Sequence, residues 1–206
     1  MTQFLNHQSG VGIKVCGLRT EDDIDVAIGA GADAIGFMFV ETSPRYLLRA
    51  EADRLVLQLP EDVLAVAVLQ NYGSFADFEN WNGWLQLCGD EDESQVASAP
   101  RPVIRAFKWN LDDLLRWDDC PNVAALLVDG STGGMGERFD VSELAKCIPT
   151  LSKPVILAGG LCAENVASVI EQANPAAVDV SSGIESTRGI KDHQKMCDFI
   201  HAVRYA

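Results

Sequence analysis

Apolar positions along this chain gather into short runs separated by longer amphipathic stretches. The runs are Gly12–Cys16, Ala34–Phe39, Val63–Leu69, Trp84–Leu87, Val103–Phe107, Ala124–Val128, Val155–Leu157 and Ala177–Val180. Each reads as a nearly continuous apolar stretch, the pattern of a strand buried on both faces, as in a parallel sheet. The stretches between them carry helix signals. Thr20 precedes three acids and then Ile24, Ala27 and Ile28 at helical spacing. Asn110 precedes Leu111, Leu114 and Leu115, and Asp140 precedes Val141, Leu144 and Ile148, with Pro149 as a stop. Cys162 to Asn165 leads into Val166, Val169 and Ile170, and Asp192 into Met196, Phe199 and Ile200. Small polar residues before an apolar periodic run, with acids in the first turn, are what a helix N-terminus requires.

Eight strands alternating with about eight helical or turn segments mean right-handed βαβ units and a parallel sheet. Eight such units predict an α/β fold closed as a single (β/α)8 TIM barrel over residues 1–206, with 1–10 as an N-terminal extension. The open doubly wound sheet uses the same local alphabet and is the rival at this point.

Composition narrows the partners more than the fold. The 206 residues are 48% hydrophobic and 22% charged, close to globular averages. Sixteen Lys and Arg against thirty Asp and Glu give a formal charge of −14, which opposes nucleic-acid binding because phosphates demand clustered cations. The longest unbroken apolar run, Val63–Leu69, is far short of a membrane span, so no membrane partner is expected. The first ten residues lack a basic n-region and an apolar h-region. No two of the six cysteines lie within four positions, so the paired spacing of a structural zinc site is absent, and a reducing cytoplasm with free thiols is the economical reading. His7, His193 and His201 fall at the chain ends, which argues against a Ser-His-Asp triad or a histidine-rich metal site.

In a barrel, chemistry gathers at the C-terminal ends of the strands. The residues there are Cys16-Gly17, Ser43-Pro44-Arg45, Cys88-Gly89-Asp90, Asp129 with Gly133-Gly134-Met135-Gly136, Gly159-Gly160, and Ser181-Ser182-Gly183. The glycine and serine segments after the last two strands sit where many barrels cradle phosphate with backbone N–H groups; two ordinary tight turns would leave the same trace. Cys16 can take a proton as a thiolate and Asp129 can deliver one to a leaving oxygen. A buried cysteine is as readily a small hydrophobe, and an aspartate after a strand is as readily a helix cap. Arg45, behind the rigid Pro44, can clamp a carboxylate.

The residues also resemble a known family. Ile13-Lys14-Val15-Cys16-Gly17-Leu18, Gly31 to Phe37, Ser43-Pro44-Arg45-Tyr46, Leu85-Gln86-Leu87, Leu157-Ala158-Gly159-Gly160-Leu161, Glu164-Asn165-Val166, Val178 to Glu185 and Gly189-Ile190-Lys191-Asp192 are similar, in order and spacing, to phosphoribosylanthranilate isomerase. The resemblance implies a barrel enzyme of tryptophan biosynthesis that rearranges N-(5-phosphoribosyl)anthranilate to its 1-deoxyribulose isomer without a cofactor or metal. It implies Cys16 as general base at the sugar C2 and Asp129 as general acid at the ring oxygen. Arg45 would face the anthranilate carboxylate. Gly159, Gly160, Ser181, Ser182 and Gly183 would form the phosphate segments, with Asp179 beside them. The expected partner is this small phosphorylated anthranilate, and the expected assembly is a monomer or homodimer. Two positions depart from the family pattern: Cys88 stands where a pocket histidine is usual, and Met135 where a threonine is usual. A diverged paralogue acting on another sugar phosphate, or a phosphometabolite-binding barrel without catalysis, stays open on the sequence.

Overall fold

The computed structural model describes residues 3–5, 10–130 and 141–206. Eight parallel strands pair in chain order and close on themselves: β1 (Gly12–Cys16), β2 (Ala34–Met38), β3 (Leu64–Leu69), β4 (Trp84–Leu87), β5 (Val103–Lys108), β6 (Val123–Asp129), β7 (Val155–Ala158) and β8 (Ala177–Val180). Closure is made by β8 on β1, with Gly12 opposite Ala177 and Val15 opposite Val180. The closed barrel displaces the open-sheet alternative. Strand ends differ from the sequence reading by a residue or so. At β5, β6 and β7 the ladder runs one residue further, through Lys108, Asp129 and Ala158, because edge-free pairing outlasts the apolar run.

Seven α-helices wrap the barrel among the described residues: α1 (Glu21–Ala30), α2 (Arg49–Val56), α3 (Glu93–Ala97), α4 (Leu111–Asp119), α5 (Val141–Cys147), α6 (Val166–Ala173) and α7 (His193–Arg204). Their starts follow local chemistry. The Thr20 hydroxyl accepts from the Asp23 N–H, Asn110 from Asp112 and Asp113, and Asp192 from Lys195, so each N-terminal turn has its free donors met. The β3–β4 connection has only a 3₁₀ turn, Ala76–Phe78, where other units have a helix. Edge-to-face rings fill that gap: Phe39 on Phe78 at 5.1 Å, Tyr72 on Phe78 at 5.4 Å and Phe39 on Trp81 at 5.7 Å between centroids. The Gly133–Gly136 loop with Met135, and the Asp140 helix start, lie outside the described residues.

Two apolar cores result from strands buried on both faces. Outward positions such as Ile13, Val15, Ile35, Phe37, Leu85 and Leu87 pack under the helices. Inward positions are smaller, among them Ala34, Ala106, Ala125, Ala158 and Ala177, and they fill the barrel with Val66, Ile104, Leu127 and Ile156. Within the segment read as an N-terminal extension, Phe4 and Leu5 are buried and belong to this inner core. They enter beside Gly12, where a Cβ would stand 2.0 Å from the Phe4 carbonyl oxygen. Three polar side chains share the interior with these aliphatics: Lys14, Gln86 and Asp179.

Candidate active site

At the C-terminal end of the barrel the strands open into a cavity of about 390 Å³. All ten residues picked from the sequence border it: Cys16, Arg45, Cys88 and Asp129, with Gly159, Gly160, Asp179, Ser181, Ser182 and Gly183. A hollow of about 650 Å³ lies beside the loops after β2 and β3, among Phe39, Tyr46, Arg49, Tyr72 and Phe78, and holds none of them. The smaller cavity is the one at the strand ends with acid, thiol and glycine loops together.

Cys16 ends β1 on the inward face and is 4% exposed. Burial pushes its thiol up, the Lys14 ammonium opposes that rise, the Asp179 carboxylate adds to it, and Lys191 again opposes it. Asp129 ends β6, in register with Lys108 on β5, so an ammonium-bearing side chain stands on the adjacent strand. The Asp129 carbonyl accepts from the Trp109 N–H at 3.2 Å, which fixes the strand end on which the carboxyl is carried.

Cys88 donates its thiol hydrogen to the Leu69 carbonyl at 3.1 Å, and burial pushes it up to about 12. It is therefore a neutral wall of the cavity at ordinary pH. The loop behind it is pinned by Glu91, which accepts from the Asn71 N–H at 2.6 Å and the Gly89 N–H at 2.8 Å. Arg105 donates to the Leu87 and Gly89 carbonyls, both at 2.8 Å.

Arg45 is held more firmly than its loop position suggested. Its Nε and Nη2 donate to the two carboxylate oxygens of Glu185 at 2.6 and 2.9 Å, a bidentate pair. Burial alone would raise the Glu185 carboxyl, but Arg45, the Gly189 N–H and Lys191 together hold it at about 2. Glu185 begins a hairpin of β9 (Glu185–Thr187) and β10 (Ile190–Lys191), and that hairpin returns Lys191 to the site. Lys191 donates to the Ser181 carbonyl at 2.8 Å and to Glu185 at 3.1 Å. Glu185 takes the Nε and Nη2 donors of Arg45, and the Nη1 donors stay out of that pair.

The glycine segments have distinct reasons for lacking side chains. Gly159 and Gly160 take φ values of 96° and 66°, which other residues rarely adopt. Gly183 is required by space, since a Cβ there would lie 1.9 Å from the Leu161 carbonyl oxygen. That contact brings the loops after β7 and β8 against one another. Asn165 ties the first of them, accepting from the Cys162 N–H and donating to the Gly160 carbonyl, both at 2.9 Å. Ser181 donates to the Cys16 carbonyl at 3.1 Å, linking the second loop to the thiol-bearing strand.

Asp179 borders the cavity, yet its carboxylate is committed downward, accepting from the Lys14 ammonium at 2.8 Å inside the barrel. Strand-end reasoning passed over Lys14, Gln86, Lys108, Glu185 and Lys191. A lysine inside an otherwise apolar run, two residues before Cys16, was the readable signal for the first. Nothing in the local pattern pointed to the hairpin that brings in the last two.

Residues 13–202 match the profile of the N-(5'phosphoribosyl)anthranilate (PRA) isomerase family. The chain is 38% identical over 200 residues to the N-(5'-phosphoribosyl)anthranilate isomerase of Dechloromonas aromatica, covering 94% of this chain and 96% of that protein. It is 40% identical over 207 residues to the one from Pseudomonas fluorescens, covering 95% and 100%. The crystal structure of phosphoribosyl anthranilate isomerase from Thermotoga maritima superposes with a TM-score of 0.86 at 32% identity, over 95% of this chain and all of that one. One in complex with reduced 1-(o-carboxyphenylamino)-1-deoxyribulose 5-phosphate does so at 0.84 and 31%, with the same coverage. With its barrel and nearly its whole length in common with these proteins, the chain belongs to the phosphoribosylanthranilate isomerase family.

Proposed function

We propose that the strand-end cavity carries out this isomerisation with Cys16 as base and Asp129 as acid. The chain is an isomerase of tryptophan biosynthesis that converts N-(5-phosphoribosyl)anthranilate to the 1-(2-carboxyphenylamino)-1-deoxyribulose 5-phosphate, an Amadori rearrangement. The reaction needs one proton placed and one removed. Asp129 gives its proton to the furanose ring oxygen as the C1–O bond breaks and the anilino nitrogen lone pair forms the C1=N bond. Cys16 then takes the proton from C2, and the C–H electron pair forms C1=C2 as the iminium collapses to an enamine. The protonated Schiff base is the electron sink, so the substrate itself supplies what a cofactor would otherwise bring.

The two anionic ends of the substrate find different partners. The phosphate fits the backbone of Gly159-Gly160 and Ser181-Ser182-Gly183, where glycine allows close approach. The carboxylate meets the Nη1 donors of Arg45, which Glu185 does not take while it fixes the guanidinium plane. Cys88 and Asp179 complete the wall. The site is assembled within one chain, so a monomer and a homodimer would serve alike. The six cysteines, all free, suit a reducing cytoplasm. The observation that carries this reading is the convergence of acid, thiol, guanidinium and both glycine loops on one cavity of about 390 Å³.

Turnover followed by loss of substrate fluorescence tests it. Cys16→Ala and Asp129→Asn are each expected to lower kcat by a hundredfold or more, as about 10²–10⁴ is what general acid–base catalysis contributes. Near-native turnover in either variant would remove that residue from the mechanism.

A further inference from the structure

Strand β1 carries two inward side chains one pleat apart, Lys14 and Cys16. Lys14 is fully buried, at 0% exposure, in a mainly aliphatic barrel interior that it shares with Gln86 and Asp179. Lysine is almost never buried without a partner, and here Asp179, its register partner on β8, accepts one N–H at 2.8 Å. An ammonium has three donors, so the pair leaves two unspent by Asp179.

Gly36 shows where the lysine is aimed. A Cβ built there would lie 2.8 Å from the Cys16 sulfur and 3.2 Å from the Lys14 nitrogen. Both atoms border the same small space, and the missing side chain at residue 36 lets them face each other.

The charges around the thiol are unbalanced. Lys14 faces it from β1, Asp179 from β8 and Lys191 from β10, with Glu185 and Arg45 behind Lys191. Cys88, just after β4, is uncharged. Lys108 on β5 and Asp129 on β6 border the same cavity, so among the described residues these groups are four basic side chains and three carboxyls, with the Cys16 thiol in their midst. Burial outweighs the cations and leaves the resting thiol raised. Buried charge demands a counter-charge, and when the thiolate forms at Cys16 the Lys14 ammonium is placed to be its counter-charge.

We propose that Lys14, fixed by Asp179, is the positioning residue that makes Cys16 a base, its ammonium serving as the counter-ion of the thiolate. The inference rests on Cys16 being the base. It adds a division of labour: the ammonium is shared between two anions while the thiolate exists. When the substrate's C2 proton arrives on sulfur, that negative charge moves from the sulfur to the substrate, and Lys14 reverts to Asp179 alone. Asp179 is then the tether of a charge, in addition to being a wall of the cavity. Burial pushes the Cys16 thiol up, Lys14 pulls it down and Asp179 pushes it up, so the two partners should act on it with opposite sign.

The test follows thiolate ultraviolet absorbance of the free, full-length protein against pH, with the Cys16→Ala protein subtracted to remove the other thiols. Asp179→Asn leaves the lysine and removes its competitor, so the Cys16 titration should move to lower pH. Lys14→Met combined with Asp179→Asn leaves an uncharged interior, and the titration should move up by about one to two pH units or more. The acid limb of kcat/KM should follow each shift where activity remains. An Asp179→Asn titration that stays put or rises overturns the proposal, and so does an unmoved titration in the double variant. Should the double variant fail to fold, the Asp179→Asn result decides alone. Wild-type turnover in Cys16→Ala would instead overturn the base assignment, and would leave the titration shifts intact.

Discussion

Gln86 on β4 borders the cavity between Trp84 and Cys88, the residue after the strand, is 6% exposed, and among the described residues its side-chain carbonyl has no hydrogen-bond partner. A buried acceptor left unmet costs about 1–3 kcal/mol. A position that destabilises the free protein and borders the catalytic cavity is expected to be satisfied by substrate, through a sugar hydroxyl or the anilino N–H. Gln86→Met keeps the volume and removes the acceptor. Chemical denaturation of the substrate-free variant should show about 1 kcal/mol more stability, and KM should rise about two- to tenfold, the value of one net hydrogen bond. Added stability with an unchanged KM would mean that the amide takes no part in binding. This residue, like Lys14 and Asp179, was hard to read in the sequence for a definite reason. A barrel strand is apolar on both faces, so its period of two is masked, and the side that faces the lumen cannot be told from the side that faces the helices. Cys16, Asp129 and the glycine loops were legible because each follows an apolar run directly, where strand-end chemistry belongs.

At the scale of elements, the eight strands stood out from the apolar runs, and three helix starts, at Thr20, Asn110 and Asp192, from their caps, while α2 and α3 carry no start that the sequence reading named. The β9–β10 hairpin did not, because Glu185–Thr187 and Ile190–Lys191 are too short and polar to differ from a loop. What makes it structure is tertiary. Glu185 receives Arg45, Lys191 and its own Gly189 N–H, while Arg19 donates to the Gly189 carbonyl at 3.0 Å. The hairpin is thereby an ion-paired clasp on Arg45 at the cavity wall, and it should loosen in acid. Its carboxyl is depressed on folding, so the stabilisation is full above the unfolded value of about 4.3 and is lost as pH falls through about 2. Thermal unfolding across that window should show wild type losing stability faster than Glu185→Gln. At neutral pH the variant should be the less stable of the two, since its amide cannot pair with both Arg45 and Lys191. Parallel curves for the two proteins between those limits would show that the clasp contributes nothing to pH sensitivity.

The whole molecule sets the field through which substrate must arrive. A formal charge of −14 surrounds the strand-end cavity, and the substrate of this isomerisation carries a carboxylate at one end and a phosphate at the other. Long-range repulsion therefore works against encounter, and the cations that favour binding are few and mostly engaged: Arg45 with Glu185, Lys191 with Glu185 and Lys14 with Asp179. Salt separates the two contributions by distance. Raising ionic strength from about 0.01 to about 0.15 M shortens the screening length from about 30 to about 8 Å. The surface carboxylates then fade from the substrate's view, while the contacts inside the cavity, shielded from solvent, change much less. Under conditions where encounter limits the rate, kcat/KM should rise a few-fold over that range, mostly through the association step, with kcat nearly constant. A fall in kcat/KM with added salt would show instead that Arg45, Lys191 and Lys108 focus a positive potential out of the cavity mouth strongly enough to overcome the acidic body.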